Sequence, residues 1–116
     1  DNASDNELRC RVKYDANYFN KTSYDFFVYL INNYVGEEEI VRKAKGVKRR
    51  LSYMWRFMKE CDNYEKDFSF TMTQKEFKEI IRKYYDTELK NMDKEDSYLD
   101  KHYSTLNRHF QSFKGK

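Results

Sequence analysis

The sequence predicts an all-α protein, a small bundle of four helices with an N-terminal extended or short helical segment packed on it. The chain has no Pro and only three Gly in 116 residues, whereas a β-protein of this size needs more turn residues. Apolar residues recur at steps of three and four over several long stretches, as they do on one face of a helix. Residues suited to capping precede these stretches.

Composition and length favour one folded unit. Charged residues make up 37% of the chain and aromatic residues 18%, and the aromatic content argues against disorder. The core must therefore be built largely from Tyr and Phe. We expect residues 1–7 to be a flexible N-terminus and residues 8–116 to form a single helical domain.

The segment 8–14 alternates between apolar and basic residues. Its apolar positions are Leu8, Cys10, Val12 and Tyr14. This period of two favours an extended segment lying on the core, and a short helix is the alternative.

The first helix is predicted over 22–35, with Thr22 or Ser23 as its N-cap. Its main apolar face is formed by Tyr24, Phe27, Val28, Ile31, Tyr34 and Val35. Phe26 and Leu30 lie on a flank of that face. Gly36 follows, where a residue with positive φ is favoured.

The second helix is predicted over 37–61. Three acidic residues, 37–39, stand at its amino end, where they complement the helix dipole. Its apolar seam consists of Ile40, Ala44, Val47, Leu51, Met54, Met58 and Cys61. Basic residues occupy the opposite face and the flanks. Trp55 lies at the edge of the seam, which suits either core packing or an exposed partner anchor.

The second half of the chain predicts a loop and two further helices. Tyr64, Phe68 and Phe70 are expected to hold a loop over 62–72 against the core. Thr73 and Glu76 have the spacing of a capping box, and the third helix is predicted to run from there to about 92. Glu88 falls within its apolar stripe and is expected at the rim. The fourth helix is predicted over 94–113.

Two cysteines and two glycosylation sequons favour a secreted or exported protein. We predict a disulfide between Cys10 and Cys61, because both belong to apolar sets that face the core. The sequons begin at Asn2 and Asn20. The alternative is two separate buried thiols in a reducing compartment such as the cytoplasm.

The sequence lacks the residue patterns of catalysis. It contains no Gly-rich phosphate loop, no paired Cys motif and no HExxH motif. His102 and His109 are seven residues apart, which is too far for joint chelation, and are interpreted as rim histidines. We therefore expect no enzymatic activity, no cofactor and no metal site. No stretch is long and apolar enough for a transmembrane segment.

The function predicted from these observations is that of a non-enzymatic protein-interaction module: an effector, surface antigen or cytokine-like ligand whose partner is another protein. Tyr, Trp and Arg are favoured at binding hot spots. The candidate partner-binding residues are Arg49, Arg50, Tyr53, Trp55, Arg56 and Phe57. The alternative is an intracellular module that binds nucleic acid or an acidic partner through the basic face of residues 42–50, which holds Arg42, Lys43, Lys45, Lys48, Arg49 and Arg50.

Overall fold

The regular structure is helical, as predicted. The computed structural model describes residues 10–90, 92 and 100–115. Within these residues the chain forms α1 (Lys21–Leu30), a π-helical turn (Ile31–Val35), α2 (Glu37–Val41), α3 (Val47–Tyr64), α4 (Gln74–Tyr85) and α5 (Asp100–Lys114). β-Pairing in the same residues is limited to one antiparallel bridge between Phe19 and Phe70. The predicted all-α bundle is confirmed.

The N-terminal segment packs on the bundle without forming a helix. Val12 is buried, and its carbonyl oxygen accepts a hydrogen bond of 2.7 Å from the Tyr24 hydroxyl. The backbone N–H of Arg11 donates to the Tyr85 hydroxyl at 3.0 Å. The predicted alternation fails at Tyr14, which is 51% exposed. The N-terminus predicted to be flexible, 1–7, lies outside the described residues.

The first helix begins earlier than predicted, because its N-cap is Asn20 and not Thr22 or Ser23. The side-chain oxygen of Asn20 accepts a hydrogen bond of 2.9 Å from the backbone N–H of Ser23. The side-chain amide nitrogen of Asn20, Nδ2, donates to the carbonyl oxygen of Asp67 at 2.9 Å. Asn20 is the asparagine of the second sequon, and in the folded protein its side-chain nitrogen joins α1 to the loop after α3.

The single helix predicted over 37–61 is wrong, because a turn separates α2 from α3. Lys43 and Gly46 have φ angles of 55° and 86°, and a left-handed residue cannot continue a right-handed helix. Gly46 adopts this conformation without the steric cost of a Cβ atom. The predicted seam nevertheless faces the core on both sides of the turn. Its residues Ile40, Val47, Leu51, Met54, Met58 and Cys61 are buried, and Ala44 is half-buried.

The third predicted helix starts as expected but ends early. The capping box is confirmed: the backbone N–H of Glu76 donates to the Thr73 hydroxyl at 3.1 Å, and the Glu76 carboxylate accepts from the backbone N–H of Thr73 at 2.9 Å. The helix stops at Tyr85, not near 92, because Asp86 is left-handed with φ 52°. Glu88 therefore lies in a non-helical segment and is exposed.

The core contains a cluster of aromatic rings centred on Phe26. This side chain is fully buried, although the sequence placed it on a flank. Its ring centroid lies 4.9–6.3 Å from those of Phe110, Phe113, Phe57, Phe68 and Tyr29. Phe110 and Phe113 belong to α5, whose predicted start at 94 lies outside the described residues. Phe26 therefore joins α1, α3, α5 and the loop after α3.

The loop between α3 and α4 is held by two of the three aromatic residues named for it. Phe68 and Phe70 are buried, and the backbone N–H of Phe70 donates to the Asp62 carboxylate at 2.8 Å. The prediction for Tyr64 is wrong, because α3 extends to this residue and leaves its side chain 83% exposed.

The predicted disulfide is absent, since Cys10 and Cys61 are both free thiols. They lie in different surroundings. The sulfur of Cys10 is 3.9 Å from the Tyr85 hydroxyl oxygen. Cys61 lies in α3. Among the described residues, the cleft around Cys61 and the cleft around Cys10 share no lining residue. Membership of the core predicted burial for both residues, but burial does not bring two side chains within bonding distance.

Candidate functional site

The aromatic residues predicted to contact a partner are not a surface patch. Tyr53 and Phe57 are buried, at 0% and 2% exposure, so this part of the prediction is wrong. Trp55 is half-buried, and its indole N–H donates to the carbonyl oxygen of Met72 at 3.0 Å. Of its two interpretations, packing at the edge of the core is the one observed.

The three predicted arginines differ in what they contact. The guanidinium of Arg50 donates to the carbonyl oxygen of Val35 at 3.4 Å, and that of Arg56 donates to Met92 at 3.1 Å. Both side chains therefore connect helices to neighbouring segments. Arg49 is exposed and lies beside a cleft. Of the six predicted contact residues, Arg49 is the one whose side chain is exposed, and Arg50, Trp55 and Arg56 are half-buried.

That cleft is a strongly charged concave feature of the described surface. It has a volume of about 490 Å³ and lies between the α2–α3 turn, the first turns of α3 and the segment after α4. We call it the basic cleft. Its lining residues are Lys43, Ala44, Lys45, Gly46, Val47, Lys48, Arg49, Ser52, Glu88, Leu89 and Lys90. A volume of this size suits a small group or a few residues of a peptide.

Positive charge dominates the basic cleft. Among the described residues, five cationic side chains line it, against one carboxylate, Glu88. Lys45, Lys48 and Lys90 are exposed, and their ammonium groups have no ion-pair partner among the described residues. Like charges held close together repel each other, so an anion that enters the cleft relieves that repulsion.

Two side-chain contacts at the end of α4 set the shape of the cleft. The ammonium group of Lys43 donates to the carbonyl oxygen of Tyr85 at 3.4 Å, which places a cation at the negative end of the helix dipole. The Tyr85 hydroxyl contacts the Glu37 carboxylate at 3.2 Å. These contacts hold the α2–α3 turn against the segment that carries Glu88 and Lys90.

Sequence reasoning found part of this cleft and missed the rest. Of the predicted basic face, Lys43, Lys45, Lys48 and Arg49 line it. Arg42 instead pairs with Glu39 at 2.7 Å, outside the lining. Lys90 was missed because the third helix was predicted to continue through it. In the structure the segment 87–90 alternates instead, with the odd-numbered residues buried and the even-numbered ones exposed.

The other candidate groups are the two histidines and the two cysteines, and they are part of the packing. The His109 ring packs edge-on against Tyr29 and Tyr34, and burial lowers the pKa of His109. The His102 ring lies 4.3 Å from that of Tyr53. Burial raises the pKa of both cysteine thiols, which disfavours the reactive thiolate.

The described part of the chain shows neither a metal centre nor a membrane span. No three of its His, Cys, Asp and Glu side chains are arranged to hold a metal ion. None of its helices has both the length and the apolar character needed to cross a bilayer. The chain matches no known family model, no curated protein and no solved structure. The case for a function therefore rests on the basic cleft.

Proposed function

We propose that this protein is a non-enzymatic interaction module that binds an acidic segment of a partner protein in the basic cleft. The observation that supports the proposal is the convergence of five cationic side chains, from two parts of the chain, on one cleft whose described lining contains one carboxylate. Complementary charge of this kind speeds encounter with an acidic partner and selects against basic ones.

The lining of the cleft favours a polypeptide over a nucleic acid. Proteins that bind single strands stack bases on aromatic side chains, and none of the described residues that line the cleft is aromatic. Ala44, which is half-buried, instead adds a small apolar surface between the charges. A peptide with acidic and small apolar residues complements that mixture.

Secretion or export is the proposed localisation, with the cytoplasm as the alternative. Two unbridged cysteines suit a reducing compartment, and this supports the alternative. An effector, surface antigen or cytokine-like ligand is the proposed role outside the cell. An adaptor for an acidic partner is the corresponding role inside it.

A binding assay with a fluorescent deca-glutamate peptide tests the proposal. We expect fluorescence anisotropy to show binding that weakens as sodium chloride rises, because salt screens exposed charges. The double variant Lys48→Gln/Lys90→Gln is expected to raise Kd about tenfold, since each charge contributes roughly 0.7 kcal/mol. The double variant Lys66→Gln/Lys75→Gln is the matched control, because it has the same net charge and changes two exposed lysines outside the cleft.

Two results would contradict the proposal. If both double variants lose the same affinity, binding follows net charge and not the cleft. If a fluorescent single-stranded 12-mer oligonucleotide binds more tightly than the peptide and depends on the same lysines, the nucleic-acid alternative is correct.

A further inference from the structure

We propose that the basic cleft recognises a phosphorylated serine or threonine within the acidic segment of the partner protein. This inference rests on the proposed function and adds the group that is bound. A phosphate monoester carries about −1.5 to −2 charges at neutral pH and has three acceptor oxygens. A carboxylate carries one charge and has two oxygens. The cleft has features that fit a phosphate monoester better than a carboxylate.

The first feature is a group of three exposed lysines that line one cleft. Lys45 and Lys48 approach the cleft from the α2–α3 turn and α3, and Lys90 approaches from the segment after α4. None of these three ammonium groups has an ion pair among the described residues. One carboxylate would neutralise only one of them, whereas a phosphate dianion neutralises two at a single point.

The second feature is the backbone between the lysines. Gly46 is the N-cap residue of α3 and supplies no side-chain hydrogen bond to the first turn. Gly46 and the first residues of α3 line the same cleft as the three lysines. The first N–H groups of a helix favour a negative group, so the helix end adds to the attraction of the side chains.

The third feature distinguishes a phosphorylated peptide from a membrane headgroup. The apolar lining residues Val47 and Leu89 are buried, at 1% and 4% exposure. They therefore provide no side chain that could insert between lipids beside the bound phosphate, as peripheral membrane proteins do. The recessed cleft suits a group that projects from a peptide chain.

The test compares three fluorescent peptides that differ at one position. Each is a nonapeptide of Gly and Ser with a central phosphoserine, aspartate or serine, and anisotropy is measured at constant ionic strength. We expect the phosphoserine peptide to bind about tenfold more tightly than the aspartate peptide, because its hydrogen bonds are charge-assisted and more numerous. Binding of the serine peptide is expected to be weaker than that of the aspartate peptide.

Amide chemical shifts of the isotope-labelled protein locate the bound phosphate. The phosphoserine peptide is expected to shift residues 45–49 and 88–90. Lys48→Gln/Lys90→Gln is expected to remove the tenfold preference, and Lys66→Gln/Lys75→Gln is expected to keep it. Retention of the fold by each variant is checked by circular dichroism.

Each contrary outcome has a separate meaning. Equal affinity for the phosphoserine and aspartate peptides would refute phosphate recognition and leave the proposed function in place. No binding of these peptides or of deca-glutamate would refute both proposals. Shifts confined to other residues would refute the assignment to this cleft. Binding to vesicles with phosphoinositides, at affinity above that for the phosphoserine peptide, would show that a lipid headgroup is the ligand.

Discussion

Truncation of Phe26 is the sharpest test of the packing. The side chain is fully buried, and its ring lies within 6.3 Å of five other aromatic rings, centroid to centroid. Burial of a Phe contributes about 1.5–3 kcal/mol, and the cavity and the lost ring contacts add to the cost of removing it. We expect Phe26→Ala to lower the free energy of unfolding by about 3–5 kcal/mol.

Urea denaturation followed by circular dichroism measures this change. With a urea dependence of about 2 kcal/mol/M, the midpoint is expected to fall by about 1.5–2.5 M. A domain of this size has a typical stability of about 5–15 kcal/mol, so Phe26→Ala could leave the chain largely unfolded. Phe26→Leu fills part of the space and is expected to cost about 1–2 kcal/mol.

The matched control is Tyr64→Ala, which removes an aromatic side chain that is 83% exposed. We expect it to change the free energy of unfolding by about 0.5 kcal/mol at most. If Phe26→Ala and Tyr64→Ala shift the midpoint equally, Phe26 does not join the helices as described. The flank position indicated by the sequence would then be the better description.

Three further predictions test the core, the turn and the thiols. Leu51→Ala removes a fully buried side chain and is expected to lower the free energy of unfolding by about 2–5 kcal/mol. Arg49→Ala changes an exposed side chain and is expected to change that free energy by about 0.5 kcal/mol at most. Equal losses in thermal denaturation would mean that the two faces of α3 are assigned wrongly. Gly46→Ala forces a Cβ atom into a left-handed residue and is expected to cost about 1–2 kcal/mol; an unchanged urea midpoint would argue against that conformation. Burial raises the pKa of Cys10 to about 11 and that of Cys61 to about 12, so the folded chain holds these protons more tightly than the unfolded chain. The free energy of unfolding is therefore expected to fall as the pH rises above about 9, and both thiols should react with a thiol reagent only after unfolding; failure of either to react in urea would restore the predicted disulfide.

The local pattern of the chain predicted the helices better than their ends. The capping box at Thr73 and the apolar seam of α3 were read correctly, because each depends on residues a few positions apart. The breaks at 42–46 and after Tyr85 were missed. Asp86 and Lys43 can both occupy a helix, and only the contacts between their segments make the left-handed conformation favourable.

The candidate site was predicted only in part for a related reason. Helical spacing identified the basic face that includes Lys45 and Lys48, because side chains on one face follow a fixed period. Helical spacing could not show that this face lies beside Lys90, because the hydrogen bond from Lys43 to Tyr85 links residues 42 positions apart. Arg50 and Arg56 were assigned to a surface for the same reason, although each reaches a carbonyl oxygen of another segment.

The sequence by itself determined the helical class, the buried seam and the positive charge of one region, since all three follow from residue type and short-range spacing. Tertiary structure alone decided that Tyr53 and Phe57 are buried, that the two cysteines stay apart, and that Phe26 joins several elements. Helical periodicity gives the direction of a side chain from its own helix but not which element lies opposite. Burial and the formation of a cleft depend on that neighbour, and contacts distant in the sequence choose it.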